Sequence, residues 1–166
     1  MNPTTNVAQA FQQYLDENGF NVDEYTKPFV TMTLGPLKLT MKNRPARQKA
    51  IPLHDLHHVS TGYGTDLAGE AEIGTWELRA GCPNAFLVLI NFAAMVLGLF
   101  IAPRRVLRAW RDAKGARSLY TQELTFEALG KLTVGELRAH LGVPHDGIAN
   151  PAERRLFKHR APSGAM

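Results

Sequence analysis

Residues Leu53 to Glu70 read LHDLHHVSTGYGTDLAGE, and the spacing of the polar residues in this stretch decides how the rest of the chain is read. His54 and His58 are four apart, which on a helix places them on one face. Asp55 stands three before His58 and borders that face. Within one helical turn the three residues span an arc of roughly 100°. The run Thr61-Gly62-Tyr63-Gly64-Thr65-Asp66 then breaks the helix. Its glycines supply positive φ without steric cost, and Thr65 or Asp66 can cap a new helix. Glu70 lies four residues beyond Asp66, and His58 four before Gly62. Two helices folded back against each other about this turn bring His58 and Glu70 face to face.

Imidazole nitrogens and carboxylate oxygens are the ligand set of zinc, and also of manganese, magnesium or iron. An i, i+4 histidine pair follows the logic of other metal-binding helices. Structural ion-pair networks gather the same residue types. The coincidence of a histidine pair, an adjacent aspartate and a turn-opposed glutamate favours a divalent metal, zinc first. His54, Asp55, His58 and Glu70 are its candidate ligands and the candidate catalytic groups.

The pattern H-D, two residues, H, eleven residues, E resembles the signature of the coenzyme Q biosynthesis protein four family. The run Val59 to Asp66 and Gly69 before Glu70 look similar to that family too, as does the closing segment Glu123 to Val143 (ELTFEALGKLTVGELRAHLGV). The resemblance covers about residues 50 to 143. It implies a role in ubiquinone assembly, with His54, Asp55, His58 and Glu70 at or beside the metal. It further implies a polyprenylated hydroxybenzoate or other isoprenoid lipid as ligand, with replacement of the ring carboxyl at C1 by hydroxyl as the reaction. The same family has been regarded as a scaffold for other quinone biosynthesis proteins, so a non-catalytic prenyl-lipid-binding scaffold is the alternative. HD-type phosphohydrolases need a further upstream histidine, and none precedes His54.

The 166 residues fit one domain with its own core. A net charge of +4 suits an anionic ligand or an acidic lipid surface, and no recognised nucleic-acid motif accompanies it. A single cysteine, Cys82, excludes an internal disulfide and fits a reducing compartment. The first nineteen residues lack lysine and arginine and contain Asp16 and Glu17, unlike a signal or transit peptide. The expected location is cytoplasmic, peripheral to the inner face of the membrane. A homodimer is left open.

Around the motif, Thr5 to Asn18 reads as a helix with Val7, Phe11, Tyr14 and Leu15 inward. Residues 21–41 mix helical and extended signals. Lys42 to Lys49 reads as a basic loop, with Pro52 in the first turn of the metal helix. In the helix after Asp66, Leu67, Ile73, Trp76 and Leu78 are expected inward and Glu72 and Glu77 outward. Ala85 to Ala102 is apolar apart from Asn91. Its length is borderline for a membrane span, and the preferred reading is a central helix buried on all sides, because Asn91 and Gly98 disfavour insertion. Arg104 to Lys114 reads as a basic amphipathic helix, with Val106, Leu107 and Trp110 available to the core. Thr133 and Glu136 form a capping box. The expected architecture is a mainly α, single-domain helical bundle over residues 1–145 around the apolar helix, with the metal site on an antiparallel helix pair. A basic, loosely ordered tail follows over 146–166.

Overall fold

The seven α-helices among the described residues follow their punctuation closely. α1 (Val7–Asn18) is capped by the Asn6 side chain and stopped by Gly19 in the left-handed region. α2 (Pro45–Thr61) leads through the glycine turn into α3 (Leu67–Ala80), capped by Asp66. α4 (Ala85–Ile101) and α5 (Pro103–Asp112) come next, then the short α6 (Phe126–Gly130) and α7 (Val134–Leu141). A hairpin of β1 (Phe29–Leu34) and β2 (Leu37–Lys42) precedes α2, with Phe29 opposite Lys42 and Val30 opposite Met41. This computed structural model describes residues 1–34 and 37–155, and it is mainly helical, as the periodicity implied.

α1 packs against α2, α6 and α7, and α3 packs against α4 and α5. The core joins Val7, Phe11, Tyr14 and Leu15 of α1 to Leu56 and Val59 of α2, Ile73 and Trp76 of α3, and Leu137 and Leu141 of α7. Burying each such side chain contributes roughly 1.5–3 kcal/mol. The chain's first residues are tied to its last helices: Val7 N–H donates to the Leu132 carbonyl and Val134 N–H to the Thr5 carbonyl. The capping box at Thr133 and Glu136 forms in full, and Gly142 ends α7 in the left-handed region.

Several expectations are corrected. α2 begins at Pro45, so part of the basic run 42–49 is helical. Proline's fixed φ suits Pro45 as the first helical residue, and Pro52 sits inside the helix, where one i to i−4 bond is missing. Leu67, Leu107 and Trp110 are exposed. Trp110 lies beneath the Arg79 guanidinium, 5.0 Å from the ring centre. Residues 146–155 dock rather than fray: Ile148 and Ala149 N–H groups donate to the Thr61 carbonyl, and Thr65 N–H donates to the Arg155 carbonyl. The remainder of the expected tail, 156–166, lies outside the described residues.

The largest correction concerns α4, which is not buried on all sides. Its docked stripe is Leu87, Asn91 and Gly98. Gly98 lets α3 and α5 approach: a Cβ there would lie 2.4 Å from Ala71 Cβ and 2.6 Å from Val106 Cγ2. Leu89, Phe92 and Phe100 on the opposite stripe are 66%, 51% and 82% exposed. The helix is thus inside out, its small and polar residues facing protein. Among the described residues, no helix is long and apolar enough to cross a membrane.

Candidate metal centre

The turn between α2 and α3 sets the geometry. Gly62 adopts φ 85° and closes α2 with its N–H on the His58 carbonyl. Gly64 is needed for a different reason: a Cβ there would strike the Arg155 backbone at 2.3 Å. Beyond the turn, His58 faces Glu70, and His54, one turn farther along α2, faces Glu77, two turns farther along α3. The paired positions run in opposite directions along the two helices.

His54, His58 and Glu70 converge. Nε2 of His54 lies 3.2 Å from Nε2 of His58 and 3.4 Å from Oε2 of Glu70, and Nε2 of His58 lies 3.5 Å from Oε1 of Glu70. Ligand atoms about 2.0–2.1 Å from a tetrahedral zinc are about 3.3 Å apart. Cis ligands of an octahedral ion at that radius are closer, about 3.0 Å apart. The two imidazole nitrogens stand near the tetrahedral separation and each lies within 3.5 Å of a different Glu70 oxygen, so the three side chains can offer two nitrogens and a carboxylate to one ion. The His58 side chain is 1% exposed and that of Glu70 is 41% exposed, so the cluster opens to solvent along its carboxylate edge.

The second nitrogen of each ligating ring is engaged. His58 Nδ1 donates to the Tyr63 carbonyl at 3.2 Å. His54 Nδ1 meets Glu77 Oε1 at 2.9 Å. Burial pushes His58 down to about 4, against the pull of Glu70, and keeps the ring neutral. Burial also opposes charge on His54, yet the Glu77 and Glu70 carboxylates outweigh it and hold its pKa well above the ordinary value. These carboxylates favour the cation at His54, whose Nε2 lies between His58 Nε2 and Glu70 Oε2. Burial works against ionising Glu70 and Glu77, but the facing histidines depress both, Glu77 more strongly.

Asp55 does not join the cluster, which corrects its place among the ligands and catalytic groups. Neighbouring helical residues diverge by about 100°, and its carboxylate turns to α1 and the preceding loop. Oδ1 accepts from Tyr14 OH at 3.1 Å and Oδ2 from Tyr25 OH. Burial raises its pKa to about 6 in spite of nearby His54 and the two hydroxyls. Asp55 supports the ligand helix from behind. Asp55→Ala should leave zinc affinity within a few-fold of wild type. It should destabilise the protein by about 1–3 kcal/mol in chemical denaturation, since the buried Tyr14 hydroxyl and the half-buried Tyr25 hydroxyl lose their acceptor. A zinc loss as large as that of a ligand variant would restore Asp55 to the site.

Glu72 and Glu77 are both buried, contrary to their expected outward orientation. Glu72 accepts from Arg105 Nη2 at 2.6 Å, with Arg108 Nη2 3.6 Å away. Glu77 belongs to the centre and was missed, as was His57, whose Nδ1 lies 2.7 Å from the same Oε1. The signal was present: Glu77 is two helical turns beyond Glu70, on the same face. Tyr63 contributes its carbonyl, and its ring is buried. The second H-D pair, His145 and Asp146, is exposed and stands apart. In comparisons with known proteins, the chain matches no family model, no curated protein and no solved structure.

An apolar recess of about 330 Å³ is lined by Phe11, Val22, Tyr25, Leu53, Leu124 and Phe126 with Lys49 at its wall. Leu53 directly precedes His54, and Tyr25 also holds Asp55.

Proposed function

We propose that this chain is a ubiquinone-biosynthesis-type protein that binds a divalent metal, zinc by preference, and a polyprenylated aromatic intermediate, whose ring carboxyl at C1 it replaces by hydroxyl. The observation that carries the reading is the convergence of two imidazole nitrogens 3.2 Å apart on the Glu70 carboxylate, with its edge open to solvent. The motif's resemblance to the coenzyme Q biosynthesis protein four family supplies the substrate class. His54, His58 and Glu70 would hold the ion, which when bound supplies an electrophilic centre for a carboxylate or phenolate oxygen. Lys49 offers a cation at the wall of the recess, where an aromatic carboxylate would gain from it. The apolar lining of the recess would suit the apolar part of the ligand. The conversion balances with oxygen and an external two-electron reductant such as a reduced nicotinamide or flavin: a para-hydroxybenzoate, O2, two electrons and two protons give the para-hydroquinone, CO2 and water.

Membrane contact is part of this proposal. α4 packs against α5, where Arg104 and Arg111 are exposed, as is Lys114 just beyond its end. Arg105 and Arg108, by contrast, are taken up by Glu72 and Glu153. An apolar stripe bordered by cations suits the headgroup region of an anionic membrane, at about 1 kcal/mol per basic residue near the surface. The same stripe favours the second reading, a non-catalytic scaffold that holds prenyl lipid and other quinone biosynthesis proteins.

Turnover separates the two. Purified protein is given a prenylated hydroxybenzoate, O2, a reduced nicotinamide or flavin and, in separate trials, zinc, manganese or ferrous iron, and carboxyl loss is followed by mass spectrometry. Loss of the carboxyl in wild type but not in His58→Ala is the expected result. Binding of the lipid without carboxyl loss under every metal selects the scaffold.

A further inference from the structure

We infer that Glu77 is the positioning residue of the centre: its carboxylate holds His54 in the one ring orientation that presents Nε2 to His58 and Glu70, and strengthens that nitrogen as a donor. This rests on the reading of His54, His58 and Glu70 as metal ligands, and it adds a residue that the H-D…H…E pattern does not contain.

The geometry is specific. Glu77 is 1% exposed and its two oxygens collect four donors from three segments of chain. Oε1 accepts from His54 Nδ1 at 2.9 Å, His57 Nδ1 at 2.7 Å and Tyr120 OH at 2.9 Å, and Oε2 accepts from Asn91 Nδ2 at 2.8 Å. His57 cannot take another role, because its Nε2 accepts the Leu119 N–H at 2.9 Å, so its Nδ1 must carry the proton. With His57, Tyr120 and Asn91 fixing the carboxylate from three sides, Oε1 becomes a rigid acceptor for His54. A flip of the His54 ring would set a carbon against that oxygen and replace Nε2 with a carbon at the cluster. Asn91, the polar interruption of α4, thereby ties the apolar helix to the ligand helix through one carboxylate. A carboxylate behind a ligating imidazole fixes its tautomer and raises its basicity, and losing such a partner typically costs 10–100-fold in metal affinity.

Glu77→Gln tests this while keeping shape. The glutamine carbonyl can accept where Oε1 does, and its amide can donate to Asn91 once the Asn91 amide rotates. Zinc affinity, measured by chelator competition, should weaken by about 10–100-fold. Glu72→Gln, on the same helix but paired with Arg105, should leave it unchanged. Equal affinity in wild type and Glu77→Gln overturns the inference, and so does an equal loss in Glu72→Gln. If Glu77→Gln does not fold, imidazole nitrogen NMR of zinc-loaded wild type decides. Coordination of His54 through Nε2 with a proton on Nδ1 supports the role, and coordination through Nδ1 overturns it. A wild type that takes up no zinc removes the metal reading itself. The metal-free spectra then judge Glu77 alone, and a His54 Nδ1 without a proton counts against it.

Discussion

His58→Ala should empty the site, taking zinc from one ion per chain to near zero by elemental analysis and weakening affinity by at least about a hundredfold. Structural zinc sites with four protein ligands bind with roughly 10–16 kcal/mol, so one ligand accounts for about 3 kcal/mol, or two decades of affinity. His58 is the sharpest choice among the ligands. Its ring is almost fully buried, its Nδ1 is committed to the Tyr63 carbonyl, and only Nε2 faces the cluster. The ring also stacks on Tyr14, with centroids 5.8 Å apart, so the alanine variant loses packing as well as a ligand. Asp55→Ala, equally buried and on the same helix, is the matched comparison: it should cost stability but keep zinc. Equal, near-zero zinc in wild type and His58→Ala would remove the metal proposal.

The contrast between these neighbouring residues shows what the linear pattern can and cannot carry. The helical period and the glycine turn were enough to bring His54, His58 and Glu70 together, because those positions depend only on local geometry. Asp55, Glu72 and Glu77 were misplaced because their orientation depends on partners elsewhere in the chain. Asp55 is drawn aside by tyrosines 41 and 30 residues away. Glu72 is buried by arginines of α5, and Glu77 by histidines of α2, Tyr120 and Asn91. A charged residue on a helix reads as solvent-facing until its counter-charges are known. α4 fails for a related reason. Composition alone makes it the obvious core, yet burial went to Asn91 and Gly98, one for its hydrogen bond and the other for its lack of a side chain. Most helices were legible from capping and period, but the hairpin and the start of α2 were not. Which face turns inward was legible only where no distant polar partner competed.

Zinc affinity should rise about tenfold per pH unit as pH increases through neutrality, flattening once pH passes the metal-free pKa of His54. Without metal, a proton sits on His54 Nε2, between His58 and Glu70, and the carboxylates of Glu77 and Glu70 hold it there against burial. Zinc must displace it. The other groups facing His54 contribute no second proton near neutrality. His58, pushed down to about 4, and His57, also lowered by burial, are already neutral, and Glu70 and Glu77 are already ionised. Asp55 titrates at about 6, but its charge favours the His54 cation and the bound ion alike, so its effect largely cancels. Stability follows with opposite sign in the two forms. Because the folded pKa of His54 lies above its unfolded value, its contribution to the metal-free protein is complete below the unfolded pKa and is lost as pH rises through the folded one. The rise in melting temperature on adding zinc should therefore grow with pH. Calorimetry in two buffers of different ionisation enthalpy should count one proton released per zinc. A flat affinity profile, or release of two protons, would mean that the His54 nitrogen is not where the proton and the metal compete.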